Sequence, residues 1–450
     1  MLSDPIVALA TPPGRAALAA IRLSGTGVHA VAGRCLQPLP DPPRTLVRAQ
    51  VVHPVTHEII DHALAVRYAG PRSYTGEDMV EVFTHGGLVV PASAVAAFVA
   101  AGARPATPGE FTRRAVLNGK LDLLQAEATA DLIEADAPAQ QRRALQQLDR
   151  GLSARLTALR AELLDVEALI AYDIDFPEED DGPVSPERVA RAAREARERI
   201  AHLLRTAPDG ERLREGALLV IAGRPNAGKS SLFNALLGHE RAIVTDVPGT
   251  TRDAIEASAV IDGFPFRLVD TAGLRQSDDR VERMGIEVSR SYLAAADLVL
   301  FCDAIGEEGR GKGDEDARSA FLAKCTAPVV TVHTKADLPF PHPDSPFPRV
   351  SAVTGEGLDV LRKTLAEVAF GGLLAVGDVE PVVTRARHRV ALERALAEME
   401  AFIAARAECV DAVAAATHLR AAVGALDGLI GAVTPDDVLD RVFATFCVGK

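Results

Sequence analysis

Hydrophobic positions change their spacing three times along the chain, and each change marks a different kind of element. Up to about residue 118, short apolar runs alternate with glycine and proline turns. IVALATPPGRAALAAIRLSG sets two apolar runs on either side of a Pro-Pro-Gly turn, and ALAVRYAGPRSYTGEDMVEVFTHGG reads as strands broken by glycines. The pattern predicts a mixed α/β domain over 1–118. From about residue 120 the period lengthens. Leu145, Leu148, Leu152, Leu156, Leu159, Leu163, Val166 and Ile170 recur every three or four residues, which places them on one helical face. A stripe of that length predicts a helical bundle or a dimer seam. The acidic, proline-containing DFPEEDDGPVSPE at 175–187 ends it, and RVARAAREARERIAHLLRTA predicts a further helix.

Near 217 the character changes again. ALLVIAG, a glycine-containing loop and SLFNALLG read as strand, loop and helix; LVLFCDA and VVTVHTKAD follow as strands. This predicts a parallel α/β sheet over 217–371. GGLLAVGD at 371–378 reads as a linker, and 372–450 returns to a helical pattern. The α/β domain is thus expected to be inserted into a helical domain of two parts, 119–216 and 372–450, which must meet in space.

Composition narrows the classes. At 450 residues the chain is too long for one compact domain. Aromatics are only 4% and tryptophan is absent, which favours helix over a β-sandwich. Uninterrupted apolar runs stay short of a membrane span and the start lacks a signal pattern, so a cytoplasmic protein without membrane attachment is expected. Five scattered cysteines with no CxxC pair argue against a disulfide framework or a zinc site. The net charge of −13 restricts any nucleic-acid contact to local basic patches. Arg113–Arg114, Arg142–Arg143 and the trio Arg385, Arg387 and Arg389 are the candidates, with a plain solvated face the commoner reading of each.

The strongest chemical signal is GRPNAGKS, Gly223 to Ser230, which fits GxxxxGK[ST] between a strand and a helix. Gly228 lets backbone N–H groups turn onto phosphates, Lys229 reaches the terminal phosphates, and Ser230 offers a hydroxyl to Mg²⁺. DTAG, Asp270 to Gly273 through Thr271 and Ala272, supplies a carboxylate for the magnesium shell and an N–H for the γ-phosphate. IVTDVPGTTRD lies between, with Thr251 the second magnesium hydroxyl on a loop that orders around the γ-phosphate. In HTKAD, the Asp337 carboxylate accepts from guanine N1–H and N2–H₂, which adenine lacks, so GTP is favoured. Thr334 stands where the usual NKxD has asparagine; Lys335 and Ala336 complete the motif, and SAVTGEG offers Ser351, Ala352 and Val353 as the loop facing the base. Leu274 follows DTAG, so the water-positioning glutamine of many GTPases is missing. Glu282 is a candidate for that task, and Arg252 and Arg275 are candidate cationic fingers.

With these residues in place, the chain resembles the MnmE (TrmE) family of tRNA-modification GTPases. TPPGR, AIRLSG, SYTGED, PGEFTRRAVLNGKLDLLQAEA, the inserted GTPase domain and the terminal FCVGK all look like that family's segments, in its order. The resemblance implies a tetrahydrofolate-binding, dimerising α+β domain ahead of a helical domain that carries a P-loop G domain. It implies a flavoprotein partner, MnmG (GidA), and tRNA as substrate, the C5 of wobble uridine receiving an aminomethyl or carboxymethylaminomethyl group from 5,10-methylene-tetrahydrofolate. A potassium ion is implied at Asn226, Thr245, Val247 and Thr250, supplying the charge of an absent arginine finger, with Glu282 orienting water. The nucleotide contacts it implies run through Asn226, Ala227, Gly228, Lys229, Ser230 and Ser231, and through switch residues Thr245, Asp246, Val247, Pro248, Gly249, Thr250 and Thr251. Arg22, Glu81, Lys120 and Lys450 match folate-contacting positions, and Cys447 a candidate nucleophile. The G-domain motifs alone would equally suit a ribosome-assembly switch; the folate-like module and the terminal cysteine speak for the modification enzyme.

Overall fold

The computed structural model describes residues 3–175, 185–224, 226–238, 256–270, 291–304, 325–338, 347–376, 381–408, 410–431, 436–444 and 446–449. They form two compact units, Met1–Ala130 with Leu426–Lys450, and Asp131–Ala425.

The first unit is built on β1 (Ile6–Leu9), β2 (Gly14–Ser24), β3 (Leu36–Gln37), β4 (Val47–Val52), β5 (Ile59–Tyr68), β6 (Met79–Gly87) and β7 (Arg104–Pro105). The sheet order is β3-β4-β5-β6-β2-β1-β7, antiparallel throughout except for β1 with β7. Period-two alternation explains its two faces. Ile21 and Leu23 of β2 and Val80 and Val82 of β6 point into a core with helices α1 (Val28–Gly33) and α2 (Val90–Ala100), through Val28, Ala32, Ala94 and Phe98. Arg22 and Glu81, one step out of phase, are left for the other face and lie directly opposite each other in the β2–β6 register.

Helices α3 (Glu110–Leu117) and α4 (Leu123–Glu134) follow, and the last helix, α13 (Asp436–Phe443), joins them. Phe443 and Phe446 pack with Leu123 and Ala126 in a second core of the same unit. Arg114 of α3 is 1% exposed, within hydrogen-bond reach of Glu110, Glu77 and Asp4. It is therefore a buried tie rather than part of a solvated or nucleic-acid-facing patch.

The second unit holds the helical elements α5 (Pro138–Leu148), α6 (Gly151–Asp175), α7 (Pro186–Arg205) and α8 (Ala207–Glu215), and a second sheet. That sheet comprises β8 (Ala217–Gly223), β9 (Glu256–Ile261), β10 (Phe264–Asp270), β11 (Leu298–Ala304), β12 (Val329–Thr334) and β13 (Arg349–Val350), with α9 (Lys229–Leu237) after β8. Its order is β13-β12-β11-β8-β10-β9, parallel except for the β9–β10 hairpin at one edge. Central β8 is buried along Ala217–Ala222, which is why it reads as a continuous apolar run rather than an alternating one. Helices α10 (Leu358–Val376), α11 (Ala386–Ala407) and α12 (Ala412–Ile430) complete the described elements.

Two sequence expectations change here. The leucine stripe is not one helix: the chain turns between α5 and α6, where Arg150 has φ 67, and Leu145 is 41% exposed. Only Leu152, Leu156, Leu159, Leu163, Val166 and Ile170 form the buried face. Nor is 371–378 a linker from its first residue, because α10 runs on to Val376. The helix is bent at Phe370 (φ −128, ψ 18), whose ring stacks on Phe264 at 4.7 Å and meets Phe266 edge-on at 5.5 Å. That aromatic anchor holds the helix against the sheet and offsets the poor helix propensity of Gly371 and Gly372.

The earlier and later helical stretches are joined side by side. Arg389 of α11 holds Glu211 of α8 at 2.9 Å, Arg420 of α12 holds Glu167 of α6 at 2.7 Å, and Arg385 holds Asp131 at 2.5 Å. Arg385 and Arg389 of the TRARHRV segment are thus committed to internal ion pairs. Helix α12 is long and apolar enough by composition to cross a membrane, yet Ala415, Leu419, Ala422, Leu426 and Leu429 are buried within the protein.

Candidate functional site

The turn after β8 is shaped by its glycines and by hydrogen bonds within the loop. Gly223 has φ 143, and a Cβ there would lie 2.3 Å from the Cys302 carbonyl oxygen of the neighbouring strand. Only glycine lets the end of β8 lie this close to its parallel neighbour β11. Asn226 and Gly228 take left-handed backbone (φ 61 and 73), and α9 begins at Lys229. Lys229 is 7% exposed and its Nζ donates to Arg224 O at 2.5 Å, curling the ammonium over the loop. Ser230 Oγ donates to Asp270 Oδ2 at 2.6 Å. The register that pairs Asp270 with Ile221 puts the end of β10 beside this loop. A hydroxyl and a carboxylate in contact at a helix N-terminus form a hard-oxygen pair that suits Mg²⁺. Cys302 beneath the loop is packing: burial pushes its thiol up to about 12, so it is inert at neutral pH.

Beside the loop lies a cleft of about 260 Å³, faced by Gly228 and Ser231 on one side and by Lys335, Asp337, Ala352 and Val353 on the other. Ser351 Oγ donates to Asp337 Oδ1 at 2.7 Å while accepting from the N–H groups of Val353 and Thr354 at 3.2 Å each. One buried hydroxyl therefore fixes both the carboxylate and the loop on this side of the cleft. Ala336 N–H donates to Val350 O at 3.1 Å and adds a second tie. Thr334 Oγ1 donates to Ala227 O at 2.8 Å, linking the β12 end to the phosphate loop. The structure thus brings together Asn226, Ala227, Gly228, Lys229, Ser230, Ser231, Asp270, Thr334, Lys335, Ala336, Asp337, Ser351, Ala352 and Val353 around one cleft and its rim. Thr245 to Thr251, Thr271, Ala272, Gly273, Glu282 and Lys450 lie outside the described residues, as do Arg252 and Arg275.

A second cavity, of about 450 Å³, opens on the outer face of the first unit's sheet. Arg22 Nε donates to Glu81 Oε1 at 2.8 Å and Tyr68 Oη to Glu81 Oε2 at 3.1 Å. The Arg22 guanidinium sits 5.6 Å from the centre of the Tyr74 ring. Lys120 Nζ reaches Pro71 O at 3.0 Å, and Arg44 and Arg72 also line the space. Burial and the neighbouring Glu81 carboxylate raise the Tyr68 phenol above its ordinary range, so Tyr68 stays a neutral donor. Three of the four predicted folate positions, Arg22, Glu81 and Lys120, meet around this cavity and its lining. Tyr68, Tyr74, Arg44 and Arg72 were missed by motif reading, although Arg72 directly precedes SYTGED and Tyr74 is its second residue.

The C-terminal segment docks on the same unit. Gly109 N–H donates to Cys447 O at 3.3 Å, and Cys447 itself is exposed. Gly449 has φ 98, and a Cβ there would lie 2.4 Å from Leu9 O. The tail is thus laid against the end of β1, whose Ala8 pairs with Arg22.

Known proteins resemble this chain along its whole length. Residues 123–447 match the MnmE helical domain and residues 5–120 match the family described as GTP-binding protein TrmE N-terminus. The tRNA modification GTPase MnmE of Moorella thermoacetica is 40% identical over all of this chain and all of its own. A Thermus thermophilus protein of the same name is 43% identical over all of this chain and 99% of its own. Among solved structures, the G domain of the T. maritima FeoB iron transporter is 27% identical, covering 34% of this chain and 98% of that chain at a TM-score of 0.24.

Proposed function

The chain belongs to the MnmE family of tRNA modification GTPases, and on that premise we propose that it couples potassium-dependent GTP hydrolysis to a folate-supplied modification of the wobble uridine, as a cytoplasmic homodimer working with a flavoprotein of the MnmG type. GTP hydrolysis in tRNA modification follows from the family itself. The observation that carries the finer reading is the cavity around Glu81. A pterin presents adjacent N–H donors, which a carboxylate held by Arg22 and Tyr68 accepts, while Tyr74 offers a ring face and Lys120, Arg44 and Arg72 offer cations to a glutamate tail. Bound there, a methylene-tetrahydrofolate supplies the one-carbon unit.

The nucleotide residues divide the work. Lys229 and the N–H groups opening α9 neutralise phosphate charge, Ser230 and Asp270 hold the magnesium shell, and Asp337 reads the guanine edge. Asn226, placed at the rim of the loop, is the described member of the proposed potassium set; Thr245, Val247 and Thr250 are assigned by the family resemblance. Glu282 takes the water-orienting role on the same ground, and Cys447, exposed on the docked tail, is assigned as the nucleophile beside the tRNA. Mass spectrometry of wobble uridines from a strain lacking the gene tests the reading. The aminomethyl-type modification is expected to vanish and to return with the wild-type gene but not with Cys447→Ser. An unaltered uridine profile in the deletion strain rejects it.

A further inference from the structure

Position 334 closes the gap between phosphate loop and base cleft with a hydroxyl. That hydroxyl has one proton. Two carbonyl oxygens surround it, Ala227 O at 2.8 Å and Asp303 O at 3.4 Å, and a carbonyl only accepts. The proton is therefore committed inside the protein, and the side chain is only 4% exposed. A Cβ built on Gly228 would lie 3.6 Å from Thr334 Oγ1, so the side chain rests against the loop backbone itself.

Guanine presents N7 as an acceptor on the edge away from its pairing face. An amide at this position has two N–H groups, enough to hold a loop carbonyl and still meet N7; a hydroxyl has one. We propose that Thr334 is a positioning residue that clamps the phosphate loop to β12 and leaves guanine N7 unread, so that base recognition rests on Asp337 at the pairing edge and on the Ala352 N–H at O6. This inference rests on the reading of the cleft as the guanine site.

Calorimetric binding of GDP and 7-deaza-GDP to the full chain tests it, since the analogue replaces N7 by C–H and keeps the pairing edge. The wild type is expected to bind both within about twofold of each other, because no hydrogen bond is lost. Thr334→Asn, of nearly equal volume, is expected to prefer GDP by about three- to tenfold, the worth of one added hydrogen bond. Thr334→Val keeps the shape and removes the clamp, so both nucleotides are expected to weaken in parallel. A wild-type preference for GDP beyond about twofold overturns the proposal, as does a folded Thr334→Asn variant that still ignores N7 or a Thr334→Val variant that weakens only one nucleotide. Asp337→Asn separates this failure from that of the guanine-site reading. It is expected to move the preference from GDP to xanthosine diphosphate, whose O2 accepts where the guanine amino group donates. If Asp337→Asn leaves GDP preferred, the cleft is not the base site and the proposal falls with it.

Discussion

The two cavities are assembled in different ways. Around the nucleotide cleft the working groups come from short stretches of chain, 223–231, 334–337 and 351–353, and much of their placement is backbone geometry: left-handed Asn226 and Gly228, and a hydroxyl at Ser351 that ties neighbouring N–H groups. Around Glu81 the groups come from positions 22, 44, 68, 72, 74 and 120: sheet register brings Arg22 and Tyr68 to Glu81, and loops at the sheet's edge add Arg44, Arg72, Tyr74 and Lys120. A loop motif carries its geometry with it, whereas a sheet-face cavity exists only when strands pair in one particular alignment. Slipping β2 by one residue against β6 would turn Arg22 onto the core face and empty the cavity of its ion pair.

The sharpest way to break this comparison is to remove the main cation of one site and watch the other. Lys229→Ala is expected to cut GTP turnover by at least about a hundredfold, since one preorganised group at developing phosphate charge is worth that much. Tetrahydrofolate binding, followed by fluorescence or calorimetry, should be unchanged. A parallel loss of folate affinity would show that the two sites are not independently built. Glu81→Gln makes the reverse cut. Losing one charge-assisted hydrogen bond should weaken folate by about ten- to a hundredfold while basal GTP turnover stays as in wild type. Equal folate affinity in that variant would remove Glu81 from the site.

A smaller effect sharpens the difference in stability. Burial pushes the Glu110 carboxyl up, but hydrogen bonds from Arg104, the Thr107 N–H and Arg114 outweigh it and hold the group at about 2. Its folded value is depressed, so its stabilisation is complete above the ordinary value of 4.5 and is lost as pH falls toward about 2. Acidification across that window should lower the wild-type melting temperature by a few degrees more than that of Glu110→Gln. Equal slopes would show that the Asp4–Arg104–Glu110–Arg114 network is not what ties α3 to the first unit.

What could be read in advance follows from range. GRPNAGKS, HTKAD and SAVTGEG are short contiguous strings, so the phosphate loop and the residues lining the cleft beside it were legible in the sequence. The leucine stripe was legible as helix but not as two helices, because its spacing continues through the turn at Arg150, and Leu145 faces solvent despite matching the period. GGLLAVGD looked like a linker because glycine disfavours helix; packing of Phe370 against Phe264 and Phe266 outweighs that local preference. The arginines of TRARHRV looked like a basic face, and only the folded partners Asp131 and Glu211 show where Arg385 and Arg389 spend their charge.

The sequence by itself determined the family, the GTP-hydrolysing chemistry and the identity of the phosphate loop, since each rests on short contiguous segments read in order along the chain. Tertiary structure alone decided that Tyr68 and Tyr74 stand with Glu81, that the C-terminal segment shares a unit with the N-terminal sheet, and that the Thr334 hydroxyl turns to Ala227. Those juxtapositions join residues from 13 positions apart (Tyr68 and Glu81) to 107 apart (Ala227 and Thr334) and beyond, and the direction of a single O–H or carboxylate is set by the neighbours that folding brings to it.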